Sequence, residues 1–135
     1  MINKIGFRGY VSSSPIDGSV IPQSLQNLKI RDYAKSKNIT FKLSITEYNF
    51  KKKYFALNSL KKQINTFEGI IFFSIYQLPI NKKIRIIYLK FFLTKNKHLY
   101  FALEDIVLKK IKNIEDIEII YFISENSKKN YKLKI

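Results

Sequence analysis

The chain contains no cysteine, one histidine, four glycines and three prolines. Without cysteine there is no disulfide framework and no thiolate zinc site, and the lone His98 excludes a multi-histidine metal centre. No Gly-rich loop opens a helix, and Gly6 and Gly9 do not fit a dinucleotide or phosphate-loop fingerprint. The expectation is no metal and no nucleotide cofactor of those classes. No apolar run approaches the ~20 residues that span a bilayer. The N-terminus lacks a basic segment followed by an apolar core and a small-residue cleavage site. These absences predict a soluble, cytoplasmic protein. Arginine is scarce too: of 25 basic residues only Arg8, Arg31 and Arg85 are not lysine.

The 135 residues, 46% of them hydrophobic, suffice for one folded domain with a real core. The net charge of +15 has two readings. It marks a polyanion surface, or it reflects A/T-rich codons, which also swell the Ile and Asn content. The second makes nucleic acid the less favoured partner. It also makes the three arginines informative, because a planar guanidinium grips carboxylate or phosphate with two hydrogen bonds and lysine does not replace it there.

The stretch Phe7–Tyr33 reads as a strand, a turn-rich loop with Pro15, Asp17, Gly18 and Ser19, and a helix starting at Pro22 with apolar residues at Leu25, Leu28 and Ile30. That helix is predicted to end near Lys37, with Asn38 as its stop. Alternation over Ile39–Ile45 predicts a strand at a sheet edge. A second helix is expected over Tyr54–Thr66, with Leu57, Leu60, Ile64 and Phe67 inward. Ile70–Ile75 reads as a buried central strand. A third helix over Asn81–Asn96 is predicted to bury Ile84, Ile87, Tyr88, Phe91 and Phe92. His98–Leu103 is a fourth strand, and Val107 and Leu108 add a short fifth. The last helix starts near Asn113 with Ile114, Ile117, Ile120 and Tyr121 inward. The predicted domain is 1–123, with a polar, basic, loosely held tail over 124–135. The order of elements predicts a three-layer α/β fold with a mostly parallel four- to five-stranded sheet, flavodoxin- or resolvase-like in strand order 2-1-3-4(-5).

In such a sheet the strands deliver their last residues to one rim, where ligands bind. The candidate catalytic residues there are Ser12, Ser13, Glu47 and Glu104. Gln26, Tyr48, Ser74, Tyr76, Arg8, Arg31 and Arg85 are candidate ligand-binding residues. The serines are nucleophiles or turn formers, and no histidine is placed to serve them. The two glutamates are an acid/base pair, or salt-bridge partners of the arginines. Lys51–Lys53 is a phosphate contact or a solvated run.

Two resemblances follow from these stretches. GYVSS, QNLKIRDYA (Gln26–Ala34) and LYFALED resemble the first strand, first helix and late strand of the serine recombinase catalytic domain. That family's arginine between the tyrosine and serine of the first strand is absent, and its Asp-Arg-Leu motif corresponds to Tyr76-Gln77-Leu78. This likeness implies a fold. Over about Phe7–Ile123, the stretches FRGYVSS, IPQSLQNLKIRDYA, LSITEY, GIIFFSIYQLP and LYFALEDIVL, with the Arg85 helix, resemble the sporadic carbohydrate cluster protein family of bacterial surface-polysaccharide gene clusters. That resemblance implies a setting in polysaccharide biosynthesis, and in that setting the strand-end residues are read as binding an anionic sugar or sugar phosphate, with the arginines holding the anion. It carries over no catalytic residue. A non-catalytic module binding other pathway enzymes is the rival reading, and predicts an exposed apolar patch around Phe91, Phe92 and Tyr100. A nucleic-acid-acting recombinase relative predicts a basic groove beside Ser12. The aromatic content of 15% is compatible with a homodimer.

Overall fold

A computed structural model describes residues 5–48 and 53–133, with side chains described as far as Lys128. The strands are β1 (Phe7–Ser12), β2 (Phe41–Glu47), β3 (Gly69–Phe72), β4 (His98–Phe101) and β5 (Ile106–Leu108). The helices are α1 (Gln23–Ser36), α2 (Phe55–Lys62), α3 (Lys82–Thr94) and α4 (Ile114–Leu133). The strands form one five-stranded sheet in the order β2-β1-β3-β4-β5. The first four run parallel, and β5 turns back antiparallel against β4. This is the expected α/β class and strand order, with β2 at the predicted edge.

Alternate side chains of the strands enter two cores. Tyr10, Ile70, Phe72, Leu99 and Phe101 pack beneath α2, α3 and α4. Phe7, Val11, Ile71, Phe73 and Tyr100 pack against Ile30, Tyr33 and Ala34 of α1, the helix on that side. Asparagines set several boundaries, as the sequence suggests. Asn38 and Asn96 take the left-handed backbone after α1 and α3. The Asn81 side chain accepts a hydrogen bond from Ile84 N at 3.0 Å and caps α3. Asp17 and Gly18, both at positive φ, close a tight turn bridged between Ile16 and Ser19.

Two helices present a different face from the one predicted. In α1 the inward residues are Gln26, Ile30, Tyr33 and Ala34, while Leu25 and Leu28 are 54% and 64% exposed. In α3 they are Arg85, Tyr88, Leu89, Phe92 and Leu93, and Ile84 and Ile87 are exposed. In each case a buried polar residue occupies the core stripe and rotates it. Phe92 and Tyr100 are buried, so the apolar patch expected around them is not on the surface. The chain after Ser124 is helical among the described residues. It continues α4 to Leu133 and is tied back by Ser124 Oγ to the Tyr76 hydroxyl (2.6 Å) and by Lys128 to Asp17 (2.7 Å). Among the described residues no helix is long and apolar enough to cross a membrane.

Candidate functional site

The register pairs Ser12 with Glu47 across β1 and β2, so both reach the same rim. Beside them opens a cavity of about 190 Å³. Its wall includes Ser12, Glu47, Tyr48, Tyr54, Tyr76 and Gln77, with Lys53 as a cation and Pro79 and Ile80 on one side. Lys53 is the member of the predicted lysine run that lies among the described residues.

Ser12 is held more tightly than a turn serine. The Gln26 carboxamide, fully buried, accepts from Ser12 N at 2.8 Å and donates to Ser12 O and Ile21 O, both at 2.8 Å. Gln77 Nε2 donates to Ser12 Oγ at 3.0 Å and to Gln26 Oε1 at 3.3 Å. The Ser12 hydroxyl, with one lone pair engaged by Gln77, is part of the cavity wall. Gln77 is itself fixed, since its Oε1 accepts from Ser74 N at 3.0 Å. Ser74 is fully buried and donates to Glu104 at 2.6 Å, and the other Glu104 oxygen accepts from Ile75 N at 2.9 Å. One hydrogen-bonded chain therefore runs from Gln26 through Ser12, Gln77 and Ser74 to Glu104. It links the ends of β1, β3 and β4.

Glu47 has a structural task besides facing the cavity. Its carboxylate accepts from Ala56 N at 2.8 Å and Leu57 N at 3.4 Å, N–H groups in the first turn of α2 that have no partner within the helix. Tyr54, which precedes that helix in a left-handed conformation, supplies no side-chain cap. A carboxylate at a helix N-terminus also meets the positive end of the helix dipole. Glu47 accepts a further bond from the Tyr10 hydroxyl at 2.7 Å. Burial, and then the Glu47 charge, push the Tyr10 hydroxyl well above the ordinary tyrosine range, so it remains a donor.

Of the residues singled out in the sequence, Ser12, Glu47, Tyr48 and Tyr76 meet at the cavity. Gln26, Ser74 and Glu104 lie behind it in the hydrogen-bonded chain. Ser13 is exposed and bonded at 3.4 Å to Glu47 O. The arginines are elsewhere. Arg8 stands four residues before Ser12 on β1, about 13 Å away along the strand. It bonds Leu43 O at 3.1 Å and Gln63 at 2.7 Å, bracing β2 and the end of α2. Burial lowers its pKa from the ordinary value. Arg31 is exposed on α1 with its guanidinium 5.9 Å from the Phe41 ring centre. Arg85 is 2% exposed and grips Glu118 through two bonds, at 2.8 and 2.6 Å. It also donates to Pro79 O and Ile80 O and lies 3.8 Å from the centre of the Tyr121 ring. The glutamates do not pair with the arginines as expected, apart from Glu118, which the sequence did not single out. Gln77 is the functional candidate that sequence reading missed as a ligand-facing group. Its signal was its place after β3, where the recombinase likeness expects an arginine.

No family model matches the chain, and no curated protein matches it. Among solved structures, the N-terminal catalytic domain of TP901-1 integrase is similar, with a TM-score of 0.67 over 91% of this chain and 96% of that domain. The chain has a resolvase-like fold. Sequence identity is 15%, and at that level the likeness shows the fold alone. In this resolvase-like chain, the neutral carboxamide of Gln77 faces the serine at the end of β1, and the three arginines are absent from the described wall of its cavity.

Proposed function

We propose that the strand-end cavity binds a small, hydroxylated anion, an anionic sugar or sugar phosphate, in bacterial surface-polysaccharide synthesis. The observation that carries this reading is the composition of the cavity. Its volume of about 190 Å³ is below the ~300–1,000 Å³ typical of drug-sized ligands and suits a single polar ring. The Ser12 and Tyr48 hydroxyls and the Glu47 carboxylate offer donors and acceptors, tyrosine rings offer apolar faces, and Lys53 offers one positive charge. The polysaccharide setting rests on the carbohydrate-cluster resemblance of the sequence. Binding needs no base, and His98 lies at the other end of β4, so the reading is one of recognition first. Thermal unfolding with a panel of sugar phosphates and nucleotide sugars tests it. A ligand at a hundred times its Kd adds ~2.7 kcal/mol of stability, and Ser12→Ala and Lys53→Gln should each reduce the shift. If no sugar anion moves the midpoint, the reading fails.

A second reading is favoured by the resolvase-like fold together with a serine held at the end of β1. In it, Ser12 faces nucleic acid. A random DNA duplex bound beside Ser12 would be released steeply by salt, and Lys53→Gln would lessen that dependence. Equal DNA binding by the variant and the unaltered chain would exclude it.

A further inference from the structure

The described residues carry a second concentration of charge, which shares no wall residue with the Ser12 cavity. Two open grooves of about 530 and 420 Å³ meet at Tyr100 and Lys109. One runs beside β5 and the end of α1. The other runs along the amino ends of β3 and β4, where Glu68 and His98 stand. Their walls hold Lys37, Lys97, Lys109, Lys110 and Lys112. The acids nearby are engaged. Glu68 accepts from Gly6 N at 3.2 Å, and Asp105 from Tyr33 at 2.7 Å and Lys37 at 3.1 Å. The positive field reaches His98, whose pKa is lowered first by burial and then by the charge of Lys109.

The floor formed by Phe7 and Tyr100 is buried, so the grooves are shallow and offer no deep slot to an inserted side chain. One exposed apolar residue adjoins the lysine-lined wall in the chain. Ile111 is 48% exposed, between the exposed Lys110 and Lys112. We propose that this lysine-rimmed surface, with the exposed Ile111 between the wall lysines Lys110 and Lys112 in the chain, docks the protein on an anionic lipid bilayer. Lysines act there as point charges on headgroup phosphates, which need no bidentate geometry. A bilayer also receives an apolar side chain at the headgroup boundary, whereas a nucleic-acid backbone presents only phosphate and sugar to it. The reading is independent of the ligand of the Ser12 cavity.

Co-sedimentation of the full chain with vesicles tests this, using phosphatidylcholine alone and phosphatidylcholine mixed with phosphatidylglycerol. Binding is expected to the mixed vesicles only, and to fall with added salt. Each lysine near an anionic surface contributes about fivefold in partitioning, so replacing Lys109, Lys110 and Lys112 together by glutamine should weaken binding about a hundredfold. Ile111→Ser should weaken it several-fold without changing the charge. A matched control, Lys82→Gln, Lys83→Gln and Lys90→Gln on the exposed side of α3, should bind nearly as the unaltered chain does. The proposal is wrong if the mixed vesicles are not bound, or if the α3 control loses as much as the groove variant. It is equally wrong if Ile111→Ser is silent while a random DNA duplex binds more tightly than the vesicles at the same salt. In that case the surface belongs to nucleic acid.

Discussion

Replacing Gln26 by leucine removes a side chain of similar size that makes four hydrogen bonds, two of them to the backbone of Ser12 and one from Gln77. Both Ser12 groups are buried, and the apolar substitute leaves each unpaired. The third partner, Ile21 O, belongs to a half-buried residue, so its loss is counted as small. An orphaned buried backbone group costs about 1–3 kcal/mol, so two of them, less a small gain from burying leucine, predict a loss of about 3 kcal/mol. In urea, with a slope of about 1.5 kcal/mol per molar, the midpoint should fall by about 2 M at unchanged slope. Gln77 retains its bond to Ser12 Oγ, so a folded variant should still form the cavity, with a looser serine. A measured loss under about 1 kcal/mol would refute the reasoning, because it would mean that Ser12 finds other backbone partners. Gln26 would then be a replaceable packing residue and not the brace of the rim.

Arg85→Lys keeps the charge but breaks the fork on Glu118 and frees the Pro79 and Ile80 carbonyls, so chemical denaturation should show a loss of about 3 kcal/mol. Glu47→Gln keeps one acceptor but weakens the cap of α2, and amide hydrogen exchange at Ala56 and Leu57 should quicken, with an overall cost of about 1 kcal/mol. His98 is held below its ordinary value of 6.5, so the folded chain takes up that proton less readily than the unfolded one. Stability is therefore full above about pH 6.5 and declines as the pH falls through the lowered value. His98→Gln should flatten that decline. As the chain's one histidine, His98 gives an isolated NMR titration, which Lys109→Gln should move upward.

The α/β class, the strand order and the edge position of β2 were legible because they rest on apolar runs and on turn residues at their ends. The convergence of Ser12 and Glu47 was legible as well, since parallel strands share a rim. The helix faces of α1 and α3 were not. Periodicity counts apolar residues as inward, and here Gln26 and Arg85 are the inward groups, each paid for by bonds to chain segments distant in sequence or across a loop. The arginines misled for the same reason. Their scarcity marked real bidentate demand at Arg85, but the demand comes from Glu118 within the protein. The reach of α4 was hidden because its second half is polar. What holds it is Tyr76 and Asp17, contacts that no local pattern records.

Pro79 and Ile80 wall the cavity beside Ser12, yet they are pinned by Arg85, and Arg85 is gripped by Glu118 of α4. During synthesis the serine strand leaves the ribosome about a hundred residues before the glutamate that steadies the opposite wall. That wall of the cavity is thus braced only when α4 docks, and a nascent chain that stops short of α4 carries the serine without the brace.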